Sequence, residues 1–201
     1  MLENTSDQKT FVSTLDGKFV VKAEKGTRNA KERTTKSGAT VYELQFDKIS
    51  GMLQNIQDFE NENENGKWRN IIITLRDADE TYSVSMPYSS RESKGILYRM
   101  PNVDLTKPIK ICIAKKEHPF TWVTQFGNTV KPMWTKDNPG DLPPMVETEI
   151  NGKRAIGDSA QMQYLMEYIK TQVVSKIPST DQASSSGELP PPYFMQDDKP
   201  Y

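Results

Sequence analysis

The chain has 201 residues, and its 26 lysines and arginines against 27 aspartates and glutamates give a formal net charge of −1. A balance this close to zero argues against a nucleic-acid binder with a uniformly basic surface, and a single cysteine excludes an intramolecular disulfide. No apolar run approaches the roughly 20 residues of a membrane helix, and the N-terminus lacks a signal-peptide pattern. We therefore expect a soluble, cytosolic protein with no membrane attachment.

Residues 1–40 are predicted to form one strand and a basic arm. Lys18–Ala23 is a short β-prone run. The overlapping segment Lys22–Gly38 is rich in charged and small residues, which is typical of a mobile loop. Its basic residues, against two acidic ones, are Lys22, Lys25, Arg28, Lys31, Arg33 and Lys36.

Residues 41–136 are predicted to form a mainly β domain. A long strand-like stretch, Val41–Ile56, is interrupted by Gly51, which suits a bulge or a sharp bend. The later elements are, in order, an acidic turn at Asp58–Gly66, strands at Trp68–Leu75 and Thr81–Met86, a short helix within Ser89–Met100, a strand at Ile109–Ala114, and a hairpin of Phe120–Phe126 and Thr129–Trp134. This is the element order of a five-stranded OB-type barrel, here with an added N-terminal strand.

Residues 137–177 are predicted to form a proline-rich connection and an amphipathic helix. Asp158 or Ser159 caps the helix, and apolar residues follow every three or four positions from Met162 to Val173. We expect this apolar face to pack on the domain. The alternative is that it forms a partner or homo-oligomer interface.

Residues 178–201 are predicted to form a disordered acidic tail. The segment is rich in serine and proline and has too few apolar residues to offset its chain entropy. It carries a net charge of −3, so the first 177 residues carry +2. The near-neutral total therefore hides a basic body and an acidic tail.

No pattern in the chain indicates an enzyme or a cofactor. His118 is the only histidine and has no evident partner, and one cysteine with one histidine cannot make a Cys/His metal site. The carboxylates of Asp58, Glu60, Glu62 and Glu64 alternate with asparagines, which favours a solvated loop over a metal-dependent nuclease site. An enzyme with a carboxylate metal site is the weakest hypothesis.

Aromatic residues next to cations recur along the chain, as single-strand binding requires. The candidates besides the basic arm are Trp68, Arg69, Tyr88, Arg91, Arg99, Lys115, Lys116, Trp122, Phe126 and Trp134. Trp122 and Phe126 share strand parity, which predicts one aromatic face on the last hairpin. The alternative is that about half of these rings fill the core. The acidic Asp58–Gly66 loop weighs against DNA contact at that end of the barrel.

The chain ends in Asp197-Asp198-Lys199-Pro200-Tyr201. This resembles the tail tip of bacterial and phage single-stranded-DNA-binding proteins, in which acidic residues precede Pro-Phe. Asp197, Asp198, Pro200 and Tyr201 match in kind, whereas Lys199 replaces an apolar residue and Tyr201 replaces phenylalanine. The resemblance implies single-stranded DNA binding in replication or recombination, in the cytoplasm of a bacterium or of an infected host cell. It also implies a tail that occupies the DNA groove and recruits replication or repair proteins.

The same tail supports a second hypothesis. Pro191-Pro192-Tyr193 belongs to a Pro-Pro-Pro-Tyr run, which resembles a WW-domain ligand of the Pro-Pro-x-Tyr type. On that interpretation the chain is a non-catalytic adaptor or a viral structural protein.

Overall fold

The computed structural model describes residues 8–35, 37–63, 66–150 and 153–178. Within these ranges the protein is mainly β, with one ten-stranded sheet, one two-stranded sheet and two α-helices. The strands are β1 (Gln8–Leu15), β2 (Lys18–Ala23), β3 (Lys31–Thr34), β4 (Thr40–Phe46), β5 (Lys48–Asn63), β6 (Gly66–Asp77), β7 (Glu80–Pro87), β8 (Ile109–Lys115), β9 (Pro119–Gln125), β10 (Asn128–Thr129), β11 (Val146–Ile150) and β12 (Lys153–Gly157). The helices are α1 (Arg91–Leu97) and α2 (Ser159–Gln172), with short 3-10 turns at Met100–Asn102 and Val174–Lys176. Neither α-helix has the length and apolar character needed to cross a membrane.

The large sheet has the strand order β10-β9-β8-β5-β6-β7-β1-β2-β4-β3. Neighbours are antiparallel except β1 and β7, which pair in parallel over Gln8–Ser13 and Glu80–Ser85. The mainly β prediction is confirmed. The predicted five-stranded barrel is not, because β1 occupies the outer edge of β7 and the sheet is not closed.

Strand β5 joins the two halves of the large sheet, because its first residues pair with β8 and the remainder pairs with β6. A β-bulge lies at Gln54, three residues after the predicted position Gly51, because the register with β6 shifts between Leu53 and Asn55. A Cβ at Gly51 would lie 2.8 Å from the carbonyl oxygen of Arg76, so this close approach of two backbones requires glycine. The stretch predicted as one long strand forms two strands, because β4 ends at Phe46 and β5 begins at Lys48, with Asp47 between them.

One side of the large sheet faces the core. Alternate residues of its strands are buried there, including Ile71 and Ile73 of β6 and Ile111 of β8. The predicted C-terminal helix is confirmed as α2, which begins after Asp158 and buries Met162 and Leu165 in the same cluster. Its apolar face therefore packs on the domain.

Several segments differ from the sequence prediction. The basic arm contains strand β3, which pairs with β4, so this stretch is an ordered edge of the large sheet. The acidic segment predicted as a turn instead continues β5 to Asn63. The proline-rich connection contains the hairpin of β11 and β12, and the second strand of the predicted last hairpin shrinks to Asn128–Thr129. Pro132 lacks a backbone N–H, which disfavours a longer strand there.

Candidate nucleic-acid interface

The side of β9, β8, β5 and β6 that faces away from the core carries cations but no carboxylate. This outward face consists of Phe120, Trp122 and Thr124 on β9, Lys110, Cys112 and Ala114 on β8, Lys48, Ser50, Met52, Asn55, Gln57, Phe59 and Asn61 on β5, and Trp68, Asn70, Ile72, Thr74 and Arg76 on β6. Alternation along each strand places these side chains together. The bulge at Gln54 shifts the alternation by one residue, so the outward residues of β5 stay on one side.

Two aromatic residues lie near the end of the β5–β6 hairpin. Asn61 pairs with Trp68 and Phe59 pairs with Asn70, so Phe59 and Trp68 are diagonal neighbours on adjacent strands. Both rings are half-buried. We name the four residues Phe59, Asn61, Trp68 and Asn70 the hairpin platform. Sequence reasoning missed Phe59 because it assigned this segment to a turn.

The carboxylates of the hairpin lie on its other side. Asp58, Glu60 and Glu62 alternate with the hairpin platform along β5, so they point away from it. Arg69 Nε donates a 2.8 Å hydrogen bond to Asp58, and Lys67 Nζ lies 3.6 Å from a Glu62 carboxylate oxygen. The acidic segment therefore presents amides and rings to one side and partly neutralised carboxylates to the other.

Arg69 and Tyr88 form a structural pair away from the outward face. The guanidinium carbon of Arg69 lies 4.1 Å from the centroid of the Tyr88 ring, and the Tyr88 N–H donates a 2.9 Å hydrogen bond to the Arg69 carbonyl. Tyr88 is only 9% exposed, and this burial raises the pKa of its hydroxyl. In this conformation neither Arg69 nor Tyr88 is placed to contact a nucleic-acid strand that is bound to the outward face.

The second aromatic patch lies on β9. The rings of Phe120 and Trp122 stack with centroids 5.5 Å apart and an interplanar angle of 26°. Phe120 is 37% exposed, and we name this pair the β9 platform. Phe126, predicted to share the face of Trp122, lies in the turn after β9 with φ of 52° and is 71% exposed. Phe120 and Trp122 are two residues apart on one strand, so alternation places both rings on the same face. The sequence prediction overlooked this signal.

Trp134 is a core residue. It is 2% exposed, and Tyr98, Tyr164 and Tyr168 meet its ring in edge-to-face contacts with centroids 5.0–6.3 Å apart. Its faces are therefore not available for base stacking, contrary to the sequence prediction. Arg99 is also drawn inward: Nη1 donates a 2.6 Å hydrogen bond to the Gly95 carbonyl, and burial lowers the pKa of its guanidinium.

Some of the predicted basic residues form ion pairs, and several are exposed at the surface. Arg33 Nη2 lies 2.7 Å from the buried Glu43 carboxylate, and Lys115 forms an ion pair with Asp16. The exposed candidates are Lys22, Lys25, Arg28, Lys31, Arg91 and Lys116. Lys36 and the tail residues Asp197, Asp198, Pro200 and Tyr201 lie outside the described residues.

The described residues contain no group of three or more histidine, cysteine, aspartate or glutamate side chains placed to hold a metal ion. Comparison of the chain with known proteins gives no matching family model, no matching curated protein and no matching solved structure.

Proposed function

We propose that the protein binds single-stranded DNA on the outward face, with bases stacking on Phe59 and Trp68 of the hairpin platform. Arg76, on the same face of β6, and the exposed Lys48, on the same face of β5, neutralise phosphates. The observation that carries the proposal is the separation of rings from carboxylates on the β5–β6 hairpin. That separation removes the main objection raised by the acidic sequence of this segment.

The energetics of this surface suit sequence-tolerant binding. Every base has a π-face, and stacking on an aromatic side chain contributes about 1–3 kcal/mol per base. Asn61 and Asn70 add neutral hydrogen-bonding groups beside the rings. A phosphate backbone on this side of the hairpin avoids the like charges of Asp58 and Glu60, which lie across the sheet.

The proposal extends to a replication or recombination role and to an OB-type relationship. The order of β5, β6, β7, α1, β8 and β9, with β5 shared between β6 and β8, supports the OB-type interpretation. The acidic tail is proposed, from its resemblance alone, to compete with DNA and to recruit replication or repair proteins through Asp197, Asp198, Pro200 and Tyr201. We propose no catalytic activity and no cofactor.

A titration with oligo-dT tests the proposal. We expect quenching of tryptophan fluorescence and an affinity that falls steeply with salt, with a logarithmic slope of about −0.7 for each phosphate neutralised. Trp68→Ala should weaken binding by about 5- to 150-fold, the equivalent of one lost stacked base. Phe46→Ala is the matched control. Phe46 is an exposed aromatic residue on β4, but it lies on the opposite side of the sheet from the outward face, so its removal should not affect DNA binding. Absence of binding at low salt would refute the proposal.

Two tail variants test the proposed role of the C-terminus. Removal of residues 190–201 should leave DNA affinity equal or higher, because an acidic competitor is lost. Tyr201→Ala should leave DNA affinity unchanged and weaken capture of a replication protein. A marked loss of DNA affinity on truncation contradicts the competitor role.

A further inference from the structure

The β9 platform has the same chemistry as the hairpin platform but lies at the other end of β5. Across the strands, Lys48 pairs with Cys112, which pairs with Trp122, and Lys110 pairs with Thr124. Two lysines therefore flank the stacked rings of Phe120 and Trp122 on the outward face. An aromatic pair beside cations fits a base and its phosphates.

Strand β5 connects the two platforms without an outward carboxylate. From Lys48 to Phe59 its outward residues are polar or apolar and uncharged, apart from Lys48 itself. The three acids of β5, Asp58, Glu60 and Glu62, all have the opposite parity. Phe59 lies eleven positions after Lys48, which corresponds to about 36 Å at the rise of a strand.

From this arrangement, and on the basis of the proposed function, we infer that one DNA strand lies along β5 and engages both platforms at once. The second contact is then intramolecular, and linked contacts of this kind raise affinity by about 10²- to 10⁴-fold. The protein would therefore discriminate by strand length. A short oligonucleotide occupies one platform, and a strand that spans β5 occupies both.

A length series measures this discrimination. Oligo-dT of about 4 and about 16 nucleotides brackets the site sizes of single-strand-binding folds. We expect the full chain to bind the longer oligonucleotide about 10³-fold more tightly. In the double variant Phe120→Ala/Trp122→Ala the ratio should fall to roughly tenfold, which reflects only the extra registers of a longer strand. Retained binding of the short oligonucleotide shows that the variant is folded.

The outcomes separate this inference from the proposed function. If the unaltered chain binds neither oligonucleotide, the proposed function fails. If it binds both and the double variant keeps the roughly 10³-fold ratio, the function stands and the two-platform inference is overturned.

A substitution between the platforms provides a second test. Met52 lies on the outward side of β5, opposite Arg76. Met52→Glu places a carboxylate on the proposed DNA path along β5. It should lower the affinity for the longer oligonucleotide by about fivefold and change the affinity for the shorter one by less than about twofold. Met52→Gln, with similar shape and no charge, is the control. Equal effects of the two substitutions would contradict a strand that passes along β5.

Discussion

The guanidinium of Arg69 lies against the ring of Tyr88, with its central carbon 4.1 Å from the ring centroid, while its Nε donates to Asp58. One side chain thus fixes the segment after β7 and holds the first carboxylate of the acidic segment on the side away from Trp68. The contact therefore links the β5–β6 hairpin, which carries the proposed interface, to the segment after β7.

Arg69→Met should lower the free energy of unfolding by about 1–2 kcal/mol, because it removes a cation–π contact and an exposed ion pair. Urea denaturation measures this loss. Lys67→Met is the control, since Lys67 lies 3.6 Å from Glu62 at the surface, and it should change the stability by less than about 0.5 kcal/mol. Similar losses in both variants would show that the Tyr88 contact contributes nothing.

The separation of charges on the hairpin predicts opposite responses at neighbouring positions. Asn61→Glu places a carboxylate on the hairpin platform and should weaken oligo-dT binding about fivefold, since like charges at about 4 Å in water cost roughly 1 kcal/mol. Glu60→Gln changes the charge on the other side and should alter the affinity by less than about twofold. Fluorescence titration of both variants at one salt concentration checks this. A larger change in affinity for Glu60→Gln than for Asn61→Glu would show that the DNA binds the side of the hairpin that carries the carboxylates.

Gly51→Ala should destabilise the protein by about 1–3 kcal/mol, because the added methyl group would lie 2.8 Å from the Arg76 carbonyl oxygen in a place where two backbones meet. Gly157→Ala is the matched control: its Cβ would lie 3.6 Å from the nearest atom, the Val146 carbonyl oxygen. The control should change the stability by less than about 0.5 kcal/mol. Thermal unfolding of both variants distinguishes the two sites, and equal shifts would argue against a required close approach.

The cleft beside β5 offers a test of electrostatics near the proposed DNA path. This cleft of about 500 Å³ lies at the free edge of β5, beside α2. Its lining includes Asn55 and Gln57 of the outward face, Asp58 and Arg69 of the opposite face, and Glu167 and Lys170 of α2. Glu167→Gln removes a negative charge there and should raise the affinity for the longer oligo-dT by about twofold at low salt. Asp137→Asn, at an exposed position in the segment after Trp134, is the control and should have no measurable effect. An unchanged or lower affinity in the first variant would place the strand elsewhere.

Acid should weaken the packing around Trp134. Hydrogen bonds from Tyr164 and Trp134 hold the pKa of Asp141 below its ordinary 3.8, and the Asp141 contact raises the pKa of Tyr164 to about 12. A depressed folded-state pKa adds stability above pH about 3.8, and that stability is lost as the pH falls through the folded value. Asp141→Asn should therefore lower the stability at pH about 7, with the difference shrinking towards pH about 2.5. Tryptophan fluorescence during urea unfolding measures the stability of the unaltered protein and of the variant at each pH. A stability difference that does not depend on pH would contradict this role of Asp141.

The sequence predicted most strands because alternation and turn residues are local signals, as in β7 and β8. It misassigned Asp58–Asn63, because an acidic, asparagine-rich segment resembles a solvated turn and its pairing with β6 depends on a partner outside the segment. Once that segment is known to be a strand, alternation alone places Phe59 and Glu60 on opposite sides of the sheet. The hairpin platform could therefore have been predicted from the sequence if the strand had been recognised.

The position of Trp134 could not be predicted in the same way. Its burial depends on Tyr164 and Tyr168 of α2, about 30 residues later in the chain. Local patterns carry no information about such a contact. Likewise, nothing in Gln8–Ser13 specifies β7 as its partner, so the open sheet was not foreseen.

The parallel pairing of β1 with β7 has a consequence for synthesis on the ribosome. Gln8 pairs with Glu80, so β1 must wait for about 70 further residues before its partner emerges. Contacts of this sequence separation close late because they require the entropy of a long loop. Until then the edge of β1 that pairs with β7 is uncovered, and an unpaired strand edge is a template for association with other chains. Deletion of β1 would leave the matching edge of β7 permanently unpaired, so it should reduce the soluble yield of the protein.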